Sequence, residues 1–193
     1  MNHENYATSL PYPSTSPYRA ASGSRRKTPV PDEIGRIHVP LGVLEQTSRI
    51  MRAFGKEDRE CYLWWGGYFT GASHAQVVTA YCPDVPTDFG RVSLNRKQLH
   101  SMHKALRDRD QVLLVELHTH PPGAGGQNEV DAENAAAPYP GFITIVVPDF
   151  AAPYLHDIRR CHVYQYLEAN RWEELDHDRI GEKFVIEESL VLV

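Results

Sequence analysis

His118, His120 and Asp131 are the side chains of this sequence whose types and spacing point most directly to chemistry. The segment ahead of them, Gln111-Val112-Leu113-Leu114-Val115-Glu116-Leu117, is apolar and β-branched enough for a buried strand. Side chains two apart on a strand share a face, so both imidazoles point the same way. Pro121 and Pro122 cannot extend a ladder, which stops the strand just after His120 and leaves both rings at its C-terminal mouth. Gly125 and Gly126 then allow a tight return of the chain. Asn128 has the character of an N-cap for a helix over residues 129–137, which carries Asp131 on the same face. Two neutral imidazoles and one carboxylate make a three-ligand set for Zn2+ with a fourth position left for water, the catalytic rather than the structural kind of zinc site.

Other polar residues near this stretch have plainer readings. Glu116 alternates onto the face of His118, where it can support the ligands from behind or rival other carboxylates as a base. Thr119 points away from that face. His100 and His103 lie three apart on a helix over 95–108, whose Leu99, Met102 and Leu106 form its apolar stripe. No third ligand accompanies them, so they are expected on a partly exposed helical face. Cys61, Cys82 and Cys161 are scattered and odd in number, which suits core thiols rather than a disulfide framework.

The elements that must position these residues alternate irregularly. A strand over 36–39 precedes a helix opened by Pro40 and closed by Gly55. Strands over 60–68 and 76–81 are joined as a hairpin, followed by a Pro- and Asp-rich loop over 82–90. Trp64 and Trp65 fall on opposite faces of their strand, so at least one is exposed or covered by a neighbouring element. After the His–Asp stretch come a strand over 142–147, a loop from Asp149, and a hairpin over 162–167 and 172–175. The apolar segments 184–186 and 190–193 either complete the sheet or contact another chain. The pattern fits the α+β class, a mixed, curved sheet flanked by helices.

A chain of 193 residues suits one domain with a tail. Residues 1–35 hold Pro11, Pro13, Pro17, Pro29 and Pro31 among many Ser, Thr and Tyr with no apolar period, the composition of a disordered arm; the domain is expected over 36–193. A net charge of −5 and a pI near 6.0 argue against nucleic acid as the main ligand. No apolar run has membrane-spanning length and none resembles a signal peptide, so the expected location is the cytoplasm, away from membranes. Sequence does not fix the oligomeric state.

The order His-Thr-His, seven residues, Asn, two residues, Asp resembles the JAMM motif of the JAB/MPN metallopeptidase family, in which a serine stands where this chain has Asn128. The resemblance runs from about residue 39 to about residue 150. It implies the cytidine-deaminase-like fold of that family and Zn2+ on His118, His120 and Asp131. It also implies that Glu60, which matches the family's upstream glutamate, is the general base, preferred over Glu116 on this ground alone. Asn128 would be either a helix cap only, or a cap that also donates an N–H to the developing oxyanion. The implied activity is cleavage after the C-terminal glycine of a ubiquitin-like protein, with E1-like and E2-like partners, in a bacterial conjugation system of the kind found in antiphage defence. Two alternatives stay open: a zinc hydrolase acting on a sulfur-carrier adduct, and a non-catalytic MPN interaction module.

Overall fold

A computed structural model describes residues 34–188 apart from 72, 84, 90, 93, 138, 153 and 154. In chain order its main elements are β1 (Arg36–Pro40), α1 (Leu41–Gly55), β2 (Tyr62–Phe69), β3 (His74–Tyr81), β4 (Thr87–Asp88), β5 (Arg91–Val92), α2 (Arg96–Arg107) and β6 (Val112–Thr119). They are followed by α3 (Glu129–Glu133), β7 (Ile143–Val147), β8 (His162–Tyr166), β9 (Trp172–Glu174), α4 (His177–Lys183) and β10 (Phe184–Glu187). Residues 1–33 of the expected arm over 1–35 and the apolar end over 190–193 lie outside the described residues.

Eight strands form one mixed sheet in the order β10-β1-β3-β2-β6-β7-β8-β9. The β1/β10, β1/β3 and β6/β7 pairs are parallel and the others antiparallel. β6 is thus an interior strand, and burial of Leu113 through His120 on both faces follows from that position. The α+β expectation holds, and the segment 184–186 completes the sheet as a parallel edge strand on β1.

Layers cover both faces of the sheet. The larger core gathers Leu44 and Met51 of α1 with Trp65, Leu114 and Ile145. The smaller one packs Met102 and Leu106 of α2 against Tyr62, Trp64 and Phe142. Both tryptophans are therefore fully buried, one under each layer. Each indole N–H finds an acceptor, Trp65 on Thr47 Oγ1 and Trp64 on the Tyr62 hydroxyl, both at 2.9 Å.

Several boundaries differ from the sequence reading. Ile34 is fully buried and Gly35 donates its N–H to Ser73 O at 2.7 Å, so the domain starts inside the stretch that proline content assigned to the arm. The loop over 82–90 ends in a short ribbon, because β4 pairs with β5. α3 stops at Glu133 instead of reaching residue 137. Ala136 turns its backbone N–H away to the buried carboxylate of Glu116 at 2.7 Å, and Pro138 in the sequence disfavours helix at the residue before it. The short α4 carries Gly181 and only one buried apolar residue, Ile180, too little period to be seen in the sequence.

Candidate metal centre

β6 ends at Thr119 as its prolines dictate, and His118 and His120 emerge together at its C-terminal end. Their Nε2 atoms stand 3.2 Å apart. Asp131 Oδ2, arriving from α3, lies 3.6 Å from His118 Nε2 and 3.3 Å from His120 Nε2. Among the described residues this is the one group of three such side chains whose ligand atoms converge. A tetrahedral cation with bonds of about 2.0–2.1 Å separates its ligand atoms by about 3.3–3.4 Å, so the triangle already has the size of one tetrahedral face. The residues present fit a metal ion with three protein ligands.

Two of the three candidate ligands, His120 and Asp131, are oriented by a second bond. His120 Nδ1 lies 2.9 Å from Gly125 O, which places its donated proton on Nδ1 and its lone pair on Nε2. Asn128 caps α3 through its side-chain oxygen, which accepts the Asp131 N–H at 3.0 Å. The return bond is as informative: Asp131 Oδ2, the atom that faces the histidines, accepts the Asn128 N–H at 2.9 Å. Asp131 is therefore both the acidic residue of a capping box and the third candidate metal ligand. The glycines divide their work differently from the sequence expectation: Gly123, with φ of 79°, takes the left-handed turn, whereas Gly126 is needed for a close approach to Tyr164.

Charge in the site favours a cation. Burial pushes the Asp131 carboxyl up, but the facing imidazoles of His118 and His120 and the N–H of Asn128 overcome it and hold it well below the usual carboxylate range. Burial pulls His120 down, yet Asp131, Gly125 and Glu60 outweigh it and raise its pKa.

Glu60 reaches the site by register. Tyr62 pairs with His118 in the antiparallel β2/β6 ladder, and continuing that count sets Glu60 across from His120. Thr119 fixes the junction: its Oγ1 accepts the Cys61 N–H at 2.8 Å and its own N–H goes to Cys61 O at 3.0 Å. Glu60 is 5% exposed and lies within the electrostatic reach of His120, His118 and Asp131. Burial raises its carboxyl above the ordinary glutamate value, against the pull of the two histidines. Cys61 turns the other way into the larger core.

Glu116 sits deeper, fully enclosed rather than turned to solvent. It accepts the Ala136 N–H and makes a polar contact with the Tyr62 hydroxyl. Burial raises its carboxyl, partly offset by the Ala136 bond. This carboxylate supports the strand beneath His118 and the chain after α3.

His100 and His103 do not join the triad. His103 is half-buried, with its ring 4.7 Å from Trp64, while His100 is exposed. A feature that sequence reasoning missed lies behind His120, whose backbone O accepts the Phe150 N–H at 2.8 Å. Asp149, Phe150 and Ala151 all have left-handed backbones, with φ of 55°, 52° and 57°. Such conformations cost non-glycine residues about 1–2 kcal/mol each. No glycine marks the turn, so no sequence signal announces it.

No family model matches this sequence, and no curated protein does. The fold is similar to the solution structure of protein DSY2949 from Desulfitobacterium hafniense, with a TM-score of 0.58 at 16% identity over 80% of this chain and 95% of that one. The solution structure of a protein from Salinibacter ruber strain DSM 13855 gives a TM-score of 0.48 at 16% identity, covering 72% and 88%. The first of these likenesses, at such identity, shows shared architecture alone. Among the described residues no helix is long and apolar enough to cross a membrane.

Proposed function

We propose that this protein is a Zn2+-dependent peptidase of the JAB/MPN kind that cleaves after the C-terminal glycine of a ubiquitin-like protein, working in the cytoplasm beside E1-like and E2-like partners of a bacterial conjugation system, as in antiphage defence. The observation that carries the reading is the triangle of His118 Nε2, His120 Nε2 and Asp131 Oδ2 with a buried fourth group, Glu60, two residues ahead of β2 and in register with His120. The motif order His118-Thr119-His120 … Asn128 … Asp131 supplies the family resemblance that selects amide hydrolysis among metal chemistries.

Zinc bound there would polarise the scissile carbonyl and lower the pKa of water toward about 7. The chain's own residues do the rest. Glu60, with a carboxyl raised by burial, is suited to accept a proton from the attacking water and return it to the departing amine. Asn128 keeps Asp131 in place through its cap, and the serine-to-asparagine departure leaves that service intact. Its amide is also a candidate donor to the developing oxyanion.

The test is incubation of the full chain with two substrates, a ubiquitin-like precursor bearing a C-terminal extension and an isopeptide-linked conjugate, each with and without chelator, read by intact mass. The expected result is loss of the group after the terminal glycine, abolished by chelation and restored by Zn2+. Cleavage indifferent to chelation would overturn the zinc mechanism. Zinc binding without cleavage of either substrate would overturn the substrate assignment and leave an adduct hydrolase or an interaction module.

A further inference from the structure

The loop between the second and third ligands, residues 121–130, has both ends tied to the site. What holds its middle lies on another strand. In the sheet the row His118, Val146, His162 and the row Glu116, Thr144, Tyr164 run side by side across β6, β7 and β8. His162 and Tyr164 therefore stand on the ligand face, two strands over. The loop crosses β7 and comes down on them. A Cβ at Gly126 would collide with Tyr164 Oη and would meet Tyr164 Cζ at 3.0 Å and His162 Cγ at 3.2 Å. A side chain at this position would have to push the Tyr164 ring aside, so glycine is what lets the loop sit this close to the tyrosine.

Polar contacts from the Tyr164 hydroxyl reach the backbone of Gln127 on the loop and the carboxylate of Glu174 on β9. That carboxylate is itself held 2.8 Å from His162 Nδ1. Both polar atoms of the Gln127 side chain are buried with no partner among the described residues. The fastening has to come from elsewhere on the loop. Gly125, one residue before the contact, provides the carbonyl that orients His120. Asn128, two residues after it, provides the N–H that orients Asp131.

We infer that Tyr164, backed by Glu174 and His162, is a positioning residue that clamps the loop at Gly126 and thereby sets the orientation of His120 and Asp131. Tyr164 acts through the loop and not on the substrate. The inference rests on the metal-binding reading above, and its test separates the two.

Y164F removes the hydroxyl and keeps the ring; G126A forces the ring aside. In the metal-free full chain, hydrogen exchange of the peptide spanning residues 121–131 should accelerate in both variants, with the global melting temperature of Y164F unchanged. Zinc affinity should weaken about 10–100-fold, the range found for residues that orient ligands, and the Co2+-substituted absorption spectrum should shift. G126A combined with Y164F should weaken binding less than the two single effects together, because the collision with the hydroxyl is gone. Exchange and zinc affinity within twofold of wild type in Y164F would overturn the inference. A wild-type chain that takes up no zinc would overturn the ligand-orienting role along with the metal reading, and the exchange experiment then shows whether the clamp itself exists.

Discussion

Two pairs of histidines in this chain look similar on paper and differ in space. His118 and His120 sit two apart on an interior strand; His100 and His103 sit three apart on α2. Both spacings place imidazoles on one face. The strand pair meets a carboxylate within 3.6 Å of each ring, delivered by a loop that folds back from the strand end. On the helix only one ring meets a partner of that kind, and it is an indole: His103 packs on Trp64, and burial pushes its pKa down, while His100 is exposed. What separates a candidate metal centre from core packing here is the third group, and that group is supplied by non-local chain, not by the spacing of the pair.

The largest expected effects test that contrast directly. H118A and D131A should each abolish stoichiometric zinc, with affinity falling by more than about 100-fold since even orienting residues cost 10–100-fold, whereas H100A should stay within twofold; metal analysis and calorimetry measure both. Retained zinc in D131A would erase the distinction drawn between the pairs. Next, E60Q should leave zinc content unchanged and slow cleavage by about 100- to 10,000-fold, the usual contribution of a general base. Unchanged turnover would move the base role to Glu116.

E116A should reduce stability by about 1–3 kcal/mol in denaturant titration, because the Ala136 N–H and the Tyr62 hydroxyl lose a buried partner. A neutral outcome would mean that water replaces the carboxylate there. The pH dependence of zinc affinity sharpens the comparison further. A ligand imidazole must be neutral to bind, and the His120 pKa is raised by Asp131, Gly125 and Glu60 against burial. Affinity should be full at high pH and decline as pH falls through the raised His120 value, steeply enough for calorimetry at pH 8 and pH 6 to resolve. The smallest effect is expected for H103A, about 1 kcal/mol of stability from lost packing and hydrogen bonding with no change in zinc.

Much of the centre was legible in local sequence. Alternation along residues 111–120 and the prolines at 121 and 122 placed both imidazoles correctly at the end of β6, and the Asn128 cap is present with its bond to Asp131. Less legible were the features that depend on a neighbouring strand. Glu60 could be singled out only by resemblance, since nothing in residues 58–67 announces which strand they pair with. Glu116 was readable as a neighbour of His118, but its full burial follows from α3 ending early and the Ala136 backbone closing over it. Tyr164 carried no signal, because its partner is the missing side chain of Gly126. The left-handed turn at 149–151 was hidden for a related reason: tertiary packing, not a local preference for that backbone, keeps it there.

By itself the sequence determined which side chains share a face and where strands and helices must stop, since alternation, proline and capping act over a few residues of covalent chain. Only the tertiary structure decided that Asp131 closes on two imidazoles, that Glu60 lies in register with His120 just ahead of β2, and that Tyr164 presses the loop between. Those distances are set by strand register and by the path of loops across the sheet, and register is fixed by the sum of many packing contacts that no single segment encodes.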